Sequence, residues 1–445
     1  MGASYIYSGG TVTVESLADG GFGVARHRGK VVFIPDAVPG DVVFFSIAED
    51  KKSYIKGKLE ELLTPSPHRT DPFCPHAGVC GGCQWQHVSY PMQLYAKQRI
   101  VADALGRITG IDGAPVPPVV PSPLLRGWRT VLEVQCRAGP RGMTVGFFAR
   151  KSRRIVEVKE CPVAFPILSE RLAGAGAALS ALKFHGRGEL RLLAGEGDRA
   201  VALLTLSGGF IPGEKAVRAV MRRLDVSGLM IANRSGVRVF GDPLVVYPGS
   251  SRAPGGAVSL SADGFVQANP GVNTQLIEEL LSYELSGKRV LELYSGGGNF
   301  TAPLAARGAR VTAVERDETL AMRAEKTLLS LGAESSQVVR ADAAEYLEEA
   351  TGGDERFDTV VLDPPRTGAH DVARLLPPLG AREILYISCA PATLARDVRI
   401  LAEHGYRLVS ARPFDMFPHT FHVETLARLV REGKTDRYRS IEKVY

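Results

Sequence analysis

Val290-Leu291-Glu292-Leu293-Tyr294, followed at once by Ser295-Gly296-Gly297-Gly298-Asn299, is the stretch whose reading decides the fold. A short apolar run bounded by glycines reads as a strand buried on both faces, the kind found in parallel sheets covered by helices. Glycines at a strand-to-helix turn let the backbone come close to a ligand. Alone, such a turn suits a dinucleotide, another nucleoside cofactor, or no ligand at all.

The neighbouring sequence narrows this. From about residue 264 the chain alternates helix and strand, with strands expected at 289–294, 310–315, 337–340, 358–363 and 383–388. That rhythm predicts a doubly wound, mostly parallel α/β sheet, Rossmann-like in kind. Ligands bind such sheets at the carboxyl ends of the strands. Glu315 ends the second strand, where a carboxylate accepts ribose hydroxyls, and Asp342 and Asp363 follow the third and fourth. The Gly turn with these three acids favours the methyl donor S-adenosylmethionine over a nicotinamide dinucleotide.

Three further segments converge on the same sheet end. Asp363-Pro364-Pro365-Arg366 closes the fourth strand, and its prolines stop the ladder and stiffen the loop. Arg366 stands where amino-methylating enzymes usually carry an aromatic residue. Ser388-Cys389-Ala390-Pro391 ends the fifth strand, placing Cys389 over the cleft as a candidate nucleophile. Glu424 opens a later apolar strand at the same end and is placed to act as a base. His419 and His422 have no evident third partner for a metal site.

Upstream, residues 4–63 carry strand-like runs at 11–15, 31–34, 41–47 and 54–63, which suggests an OB-like β-barrel. Thr64-Pro65-Ser66-Pro67 marks a boundary. A cysteine-rich loop, a helix at 90–108, a Pro-rich linker at 111–123 and an α+β unit come after it. The expected division is 1–65, 66–263 and 264–445. Cys74, Cys80 and Cys83 fall within ten residues, and Cys161 supplies a fourth thiol. Four thiolates suit a [4Fe–4S] cluster or tetrahedral zinc, with His76 as a lesser candidate ligand. Cys136 lies in a strand pattern and is expected in the core.

The 445 residues carry a net charge of +6, and His27–Lys30, Arg126–Arg129 and Arg150–Arg154 concentrate basic groups in the first 160 positions. That suits an anionic partner. Trp128, set between arginines, and Trp85 read either as stacking platforms or as core. No apolar run approaches a bilayer's thickness and no secretory pattern opens the chain, so a cytosolic protein with reduced thiols and no membrane partner is expected.

The order Cys-Gly-Gly-Cys, Asp-Pro-Pro-Arg, Ser-Cys-x-Pro-x-Thr-Leu-x-Arg-Asp, Phe-Pro-x-Thr-x-His-Val-Glu resembles the RNA uridine-5-methyltransferase family along the whole chain. The resemblance implies that the barrel is a TRAM domain and that the four cysteines hold a [4Fe–4S] cluster. It implies Cys389 attack on uracil C6, proton removal by Glu424, and Asp363 orienting base or cofactor. It also implies cofactor contacts at Gln267, Tyr294, Gly296 and Asn299 beside Glu315, Asp342 and Asp363. Large-subunit (23S) ribosomal RNA is the expected substrate, with transfer RNA second, and the enzyme is expected to work as a monomer. Ala390, where the family usually has Asn, and Glu292, where it usually has Asp, depart from the pattern. The competing readings are a methyltransferase for DNA cytosine or amino groups on the same fold, and a non-catalytic iron–sulfur RNA-binding protein.

Overall fold

A computed structural model describes residues 7–432 apart from 112, 141, 210–211, 249–254 and 353–354. Residues 1–6 and 433–445, which belong to the first and last expected units, lie outside the described residues.

The N-terminal unit is one six-stranded sheet: β1 (Tyr7–Thr13), β2 (Ser16–Leu17), β3 (Gly23–His27), β4 (Lys30–Ile34), β5 (Val42–Asp50) and β6 (Tyr54–Thr64), in the order β1-β5-β6-β4-β3-β2. β1 and β3 stand far apart in that order yet touch, so the sheet is rolled. The inward residues Val12, Ala25, Val32, Ile34, Val43, Phe45 and Ile55 fill its centre. β3 was not expected as a strand, because only Val24 and Ala25 interrupt its glycine and charged residues. Asp41 is fully buried and joins the barrel to the segment after β6. It accepts from Val38 N–H at 2.6 Å and Ser66 N–H at 2.8 Å. The Arg69 guanidinium grips both its oxygens, at 2.8 and 2.7 Å.

After α1 (Tyr90–Thr109), the central sheet has seven strands: β7 (Val131–Gly139), β8 (Gly142–Phe148), β9 (Ile155–Glu157), β10 (Arg187–Ala194), β11 (Ala200–Leu206), β12 (Gly228–Asn233) and β13 (Gly236–Gly241). Helices α2 (Pro166–Ser180) and α3 (Glu214–Leu224) cover one face through Leu168, Leu172, Val217 and Val220. Cys136 is in that core. Part of the other face packs on the small hairpin β14 (Leu244–Val246) and β15 (Ser259–Ser261), and part is open.

The C-terminal sheet contains β16 (Arg289–Leu293), β17 (Arg310–Glu315), β18 (Gln337–Arg340), β19 (Thr359–Leu362), β20 (Glu383–Ser388), β21 (Tyr406–Phe414) and β22 (Glu424–Arg431). Its order is β18-β17-β16-β19-β20-β22-β21, parallel except for β21 and β22. Every residue of β19 and β20 is buried, as two-sided coverage requires. One face packs on α1, α7 (Ala343–Thr351), α8 (His370–Leu375) and α9 (Pro391–Glu403), and the other on α4 (Pro270–Leu281) and α5 (Thr301–Ala306). A further helix, α6 (Glu318–Ser330), packs beside α5.

The expected central span does not stay in the central unit. Val101 and Leu105 of α1 lie in the core beneath the C-terminal sheet. The Pro-rich segment follows α1 there, since Val120 bridges Phe414 and Ala411 N–H donates to Pro115 C=O at 2.9 Å. Both tryptophans are interior, Trp128 at 1% exposure and Trp85 at 0%, so neither offers a face for stacking. Among the described residues, no helix is long and apolar enough to cross a membrane.

Candidate active site

The turn after β16 is sharp. Tyr294 has φ 63° and Gly296 φ 57°, left-handed conformations that a tyrosine adopts only under local constraint. A Cβ on Gly298 (φ 94°) would meet Ala324 of α6 at 3.3 Å, whereas one on Gly296 would meet nothing within 4 Å. The turn is therefore packed on one side and open on the other. Glu315 at the end of β17 takes the Gly296 N–H at 2.9 Å and the Asp317 N–H at 2.8 Å. Asp342 caps α7 through Ala344 N–H at 2.9 Å. Asn299 and Asn273 of α4 exchange two amide bonds of 2.8 and 3.0 Å. Gln267 donates to Asp363 at 3.3 Å, and its own carbonyl is held by Tyr247 O–H at 2.8 Å. The seven expected cofactor residues thus gather around the carboxyl ends of β16, β17, β18 and β19, where Gly296 bonds to Glu315 and Gln267 to Asp363.

The reacting groups lie further along the same edge. Asp363 follows β19, Cys389 follows β20, and Glu424 begins β22, which pairs with β20 through Ser388 and Thr425. Adjacent strands therefore present the three together. Burial pushes the Asp363 carboxyl up to about 7, with the Gln267 hydrogen bond opposing. Burial and then the Asp363 charge push Glu424 well above the usual carboxylate range, with Arg366 opposing. Burial and then the Glu424 charge push the Cys389 thiol up to about 11, while the charge and hydrogen bond of Arg366 pull it down. A buried acid above its usual range is suited to exchanging a proton near neutral pH. A thiol beside a guanidinium is suited to ionising on demand.

Arg366 is the group that reading the sequence undervalued: the Asp-Pro-Pro-Arg run signalled it, yet it served there only to argue against amino methylation. Its loop is fastened by α9. Thr393 O–H donates to Arg366 C=O at 3.2 Å and Arg396 to Thr367 C=O at 3.0 Å. The buried Asp397 accepts from Ala369 N–H at 2.7 Å and Tyr386 O–H at 2.8 Å. The loop before Glu424 is fastened by α1. Fully buried Lys97 pairs with fully buried Asp415 and donates to Phe417 C=O at 2.9 Å. Tyr90 O–H reaches Asp415 at 2.8 Å. His419 N–H donates to Gln93 at 2.9 Å, and Trp85 N–H to His419 C=O at 2.8 Å. His422 stacks on Phe421 with ring centres 4.1 Å apart, and burial with Arg366 pushes it down to about 4, so it is neutral.

Cys74, Cys80, Cys83 and Cys161 all line a single cavity of about 710 Å³ between the barrel, the cysteine loop and the central sheet, with His76 and Arg129. Burial leads in pushing Cys83 up to about 12 and in raising Cys80 and Cys161, and neighbouring thiols add to each shift. Among the described residues, no three His, Cys, Asp or Glu side chains close around a point for a single ion. Four thiols lining one cavity are the donor set that a [4Fe–4S] cluster or a tetrahedral zinc ion takes. The Gly82 N–H reaches Cys80 Sγ at 3.4 Å, the kind of contact that steadies a metal-bound sulfur.

Comparison with known proteins agrees with this layout. A TRAM domain model matches residues 5–59 and a tRNA (uracil-5-)-methyltransferase model matches residues 258–432. The 23S rRNA (uracil(1939)-C(5))-methyltransferase RlmD of Alkalilimnicola ehrlichii is 34% identical over 95% of this chain and 97% of that protein. The protein of the same name from Edwardsiella ictaluri is 32% identical over 94% of each. Among solved structures, the Pyrococcus abyssi tRNA (uracil-54, C5)-methyltransferase in complex with S-adenosyl-L-homocysteine covers 94% of this chain and 100% of its own, at 25% identity and a TM-score of 0.72. With that similarity running through barrel, central unit and catalytic sheet alike, the chain belongs to the S-adenosylmethionine-dependent RNA uracil-5-methyltransferase family.

Proposed function

We propose that the chain methylates carbon 5 of one uridine in 23S ribosomal RNA. The observation that carries this is the convergence of Cys389, Glu424, Asp363 and Arg366 on neighbouring strand ends beside the Gly296 turn. Relatives that are 31–34% identical over almost the whole chain bear the 23S rRNA name, which supports that RNA over tRNA.

Bound S-adenosylmethionine supplies an electrophilic methyl carbon. Gln267, Tyr294, Asn299, Glu315, Asp342 and Asp363 would hold it around the open side of Gly296. Glu315 keeps lone pairs free for ribose hydroxyls, since a carboxylate accepts more bonds than the two it makes here. Uracil C5 is a poor nucleophile, and the base must leave any stack to reach this edge. The Cys389 thiolate, favoured by Arg366, adds to C6 and sends the electron pair toward C5 and O4. C5 takes the methyl group as the donor's methyl–sulfur bond breaks, and S-adenosylhomocysteine leaves with that electron pair on sulfur. Glu424 removes the C5 proton, the C5–C6 double bond re-forms, and Cys389 leaves as the thiolate. Glu424 alone gains a proton over the cycle and must lose it to solvent.

Cys74, Cys80, Cys83 and Cys161 would hold a [4Fe–4S] cluster. The residues fit it, and bound there it would tie the 74–83 loop to the central sheet and help to seat the barrel. Arg150 reaches from that sheet to Asp36 of the barrel and to Cys83 C=O at 3.2 Å.

The test uses anaerobically purified protein, methyl-labelled S-adenosylmethionine, and unmodified 23S rRNA and tRNA. Label in 5-methyluridine from 23S rRNA is the expected outcome. Label only in tRNA would replace the substrate, as the likeness to the Pyrococcus structure would then explain. Label in a different nucleoside would overturn the reaction.

A further inference from the structure

The open face of the central sheet carries charge that its own groups do not neutralise. Arg137 of β7 and Arg187 of β10 stand directly opposite each other across the strand pair. Like charges in facing positions repel. Arg153, from the connection between β8 and β9, joins them around a pocket of about 300 Å³ that Gln135, Phe148 and Ile155 also line. All three arginines are exposed, and among the described residues none forms an ion pair. Of the nearby acids, Glu133 pairs with Arg191 at 3.3 Å, and Glu189, which accepts from Gln135 at 2.6 Å, sets one negative charge against the three guanidinium groups. Gln135 and Phe148 line both this pocket and the cysteine cavity, so the two form one track along the sheet, starting at the barrel.

We propose that Arg137, Arg153 and Arg187 form a phosphate site for the RNA backbone, outside the catalytic cleft, with the half-exposed Phe148 ring offering a stacking face beside it. This rests on the RNA reading above. Guanidinium forks take phosphate oxygens two at a time, and one phosphate between Arg137 and Arg187 turns a repulsion into two charge-assisted contacts. Aromatic rings interleaved with such contacts are how proteins follow a single strand. The site does no chemistry. It fixes where the RNA lies, so that the target uridine reaches Cys389.

The double variant Arg137→Gln/Arg187→Gln is compared with Arg222→Gln/Arg234→Gln. The latter removes the same charge from α3, behind the sheet, and from the turn between β12 and β13. The probe is an unmodified 23S rRNA transcript, with binding measured across a salt series and methyl transfer measured alongside. Losing two phosphate contacts to a single strand should make the slope of log K against log salt shallower by about 1.4, and should weaken binding roughly tenfold near 0.1 M salt. KM for RNA should rise in parallel. The melting temperature without RNA should be unchanged or higher, since a repulsive pair is gone. A binding constant and salt slope equal to those of the control pair would overturn the site, as would a fall in melting temperature, which would make the arginines structural. If the wild-type protein itself neither binds nor methylates RNA, the functional reading fails as well. If the wild type does both and the two variants behave alike, only the arginine site fails.

Discussion

Two groups of thiols in this molecule are both raised by burial and stand among different neighbours. Burial pushes Cys389 up to about 11 and Cys83 up to about 12, so desolvation alone does not separate them. Their neighbours do. Cys389 faces one guanidinium and two carboxyls on the ends of adjacent strands, a set that passes charge and protons. Cys83 faces Cys80 and Cys161 around a cavity, a set that can shed its mutual repulsion by binding metal. The lesson is that a cysteine's role is legible from the groups that face it, more than from the desolvation itself.

The largest expected effect separates the two groups outright. Cys389→Ala should lower methyl transfer by about 10⁴-fold or more while leaving bound iron and melting temperature as they are, in line with the loss of a covalent nucleophile. Cys161→Ser should do the reverse, losing iron and several degrees of stability. Iron content, melting curves and single-turnover transfer decide it. Next comes Glu424→Gln, which should slow turnover about 10²–10⁴-fold, the range for a general base, and leave RNA covalently attached on a denaturing gel. A slow variant with no adduct would place proton removal elsewhere.

Lys97→Met should cost about 3–5 kcal/mol in unfolding experiments, because it strands Asp415 as an unpaired buried charge. An activity loss beyond the unfolded fraction would show that the loop before Glu424 depends on α1. Arg366→Gln removes what pulls the Cys389 thiol down, so its pKa should move further up. The rate should then fall about tenfold per unit of that shift at neutral pH and recover as pH rises. A pH profile parallel to that of the wild type would remove Arg366 from the thiol's environment.

The smallest effect concerns Glu292, which burial pushes up to about 8. A carboxyl whose folded pKa lies above its unfolded one keeps its proton in the native state over that interval. The native state then binds more protons than the unfolded state, and stability falls as pH rises from the unfolded value toward 8. Glu292→Gln should therefore melt a few degrees higher than wild type at pH 8 and about the same at pH 4. A pH-independent difference would mean that the carboxyl is not buried as described.

The C-terminal sheet was largely legible, because β16, β19 and β20 are short apolar runs followed by Gly, Pro or Cys, and such runs point to their own strand ends. The position of Glu424 was legible because it opens an apolar strand. What stayed hidden was long-range. Nothing in the amphipathic pattern of α1 says that Val101 and Leu105 pack beneath a sheet that starts some 180 residues later. Trp128, between arginines, read equally as a platform or as core, and only the fold decides it: the chain turns the ring inward while Arg126 stacks on Phe73 at 4.2 Å. Arg366 gave a local signal, but its meaning depended on the partner strand β22 and on α9 holding its loop. The Arg137–Arg187 pair exists only once the β7–β10 register is known.

The central claim is that Cys389 attacks C6 of the target uridine, and RNA transcribed with 5-fluorouridine tests it most directly. Fluorine at C5 cannot leave as a proton, so the reaction should halt after methyl transfer. Mass spectrometry of the digested complex should then find a methylated fluorouridine bonded to the peptide carrying Cys389, and no such peptide from Cys389→Ala. A bond to any other residue, or methyl transfer from labelled S-adenosylmethionine to fluorouridine with no protein adduct, would contradict the account.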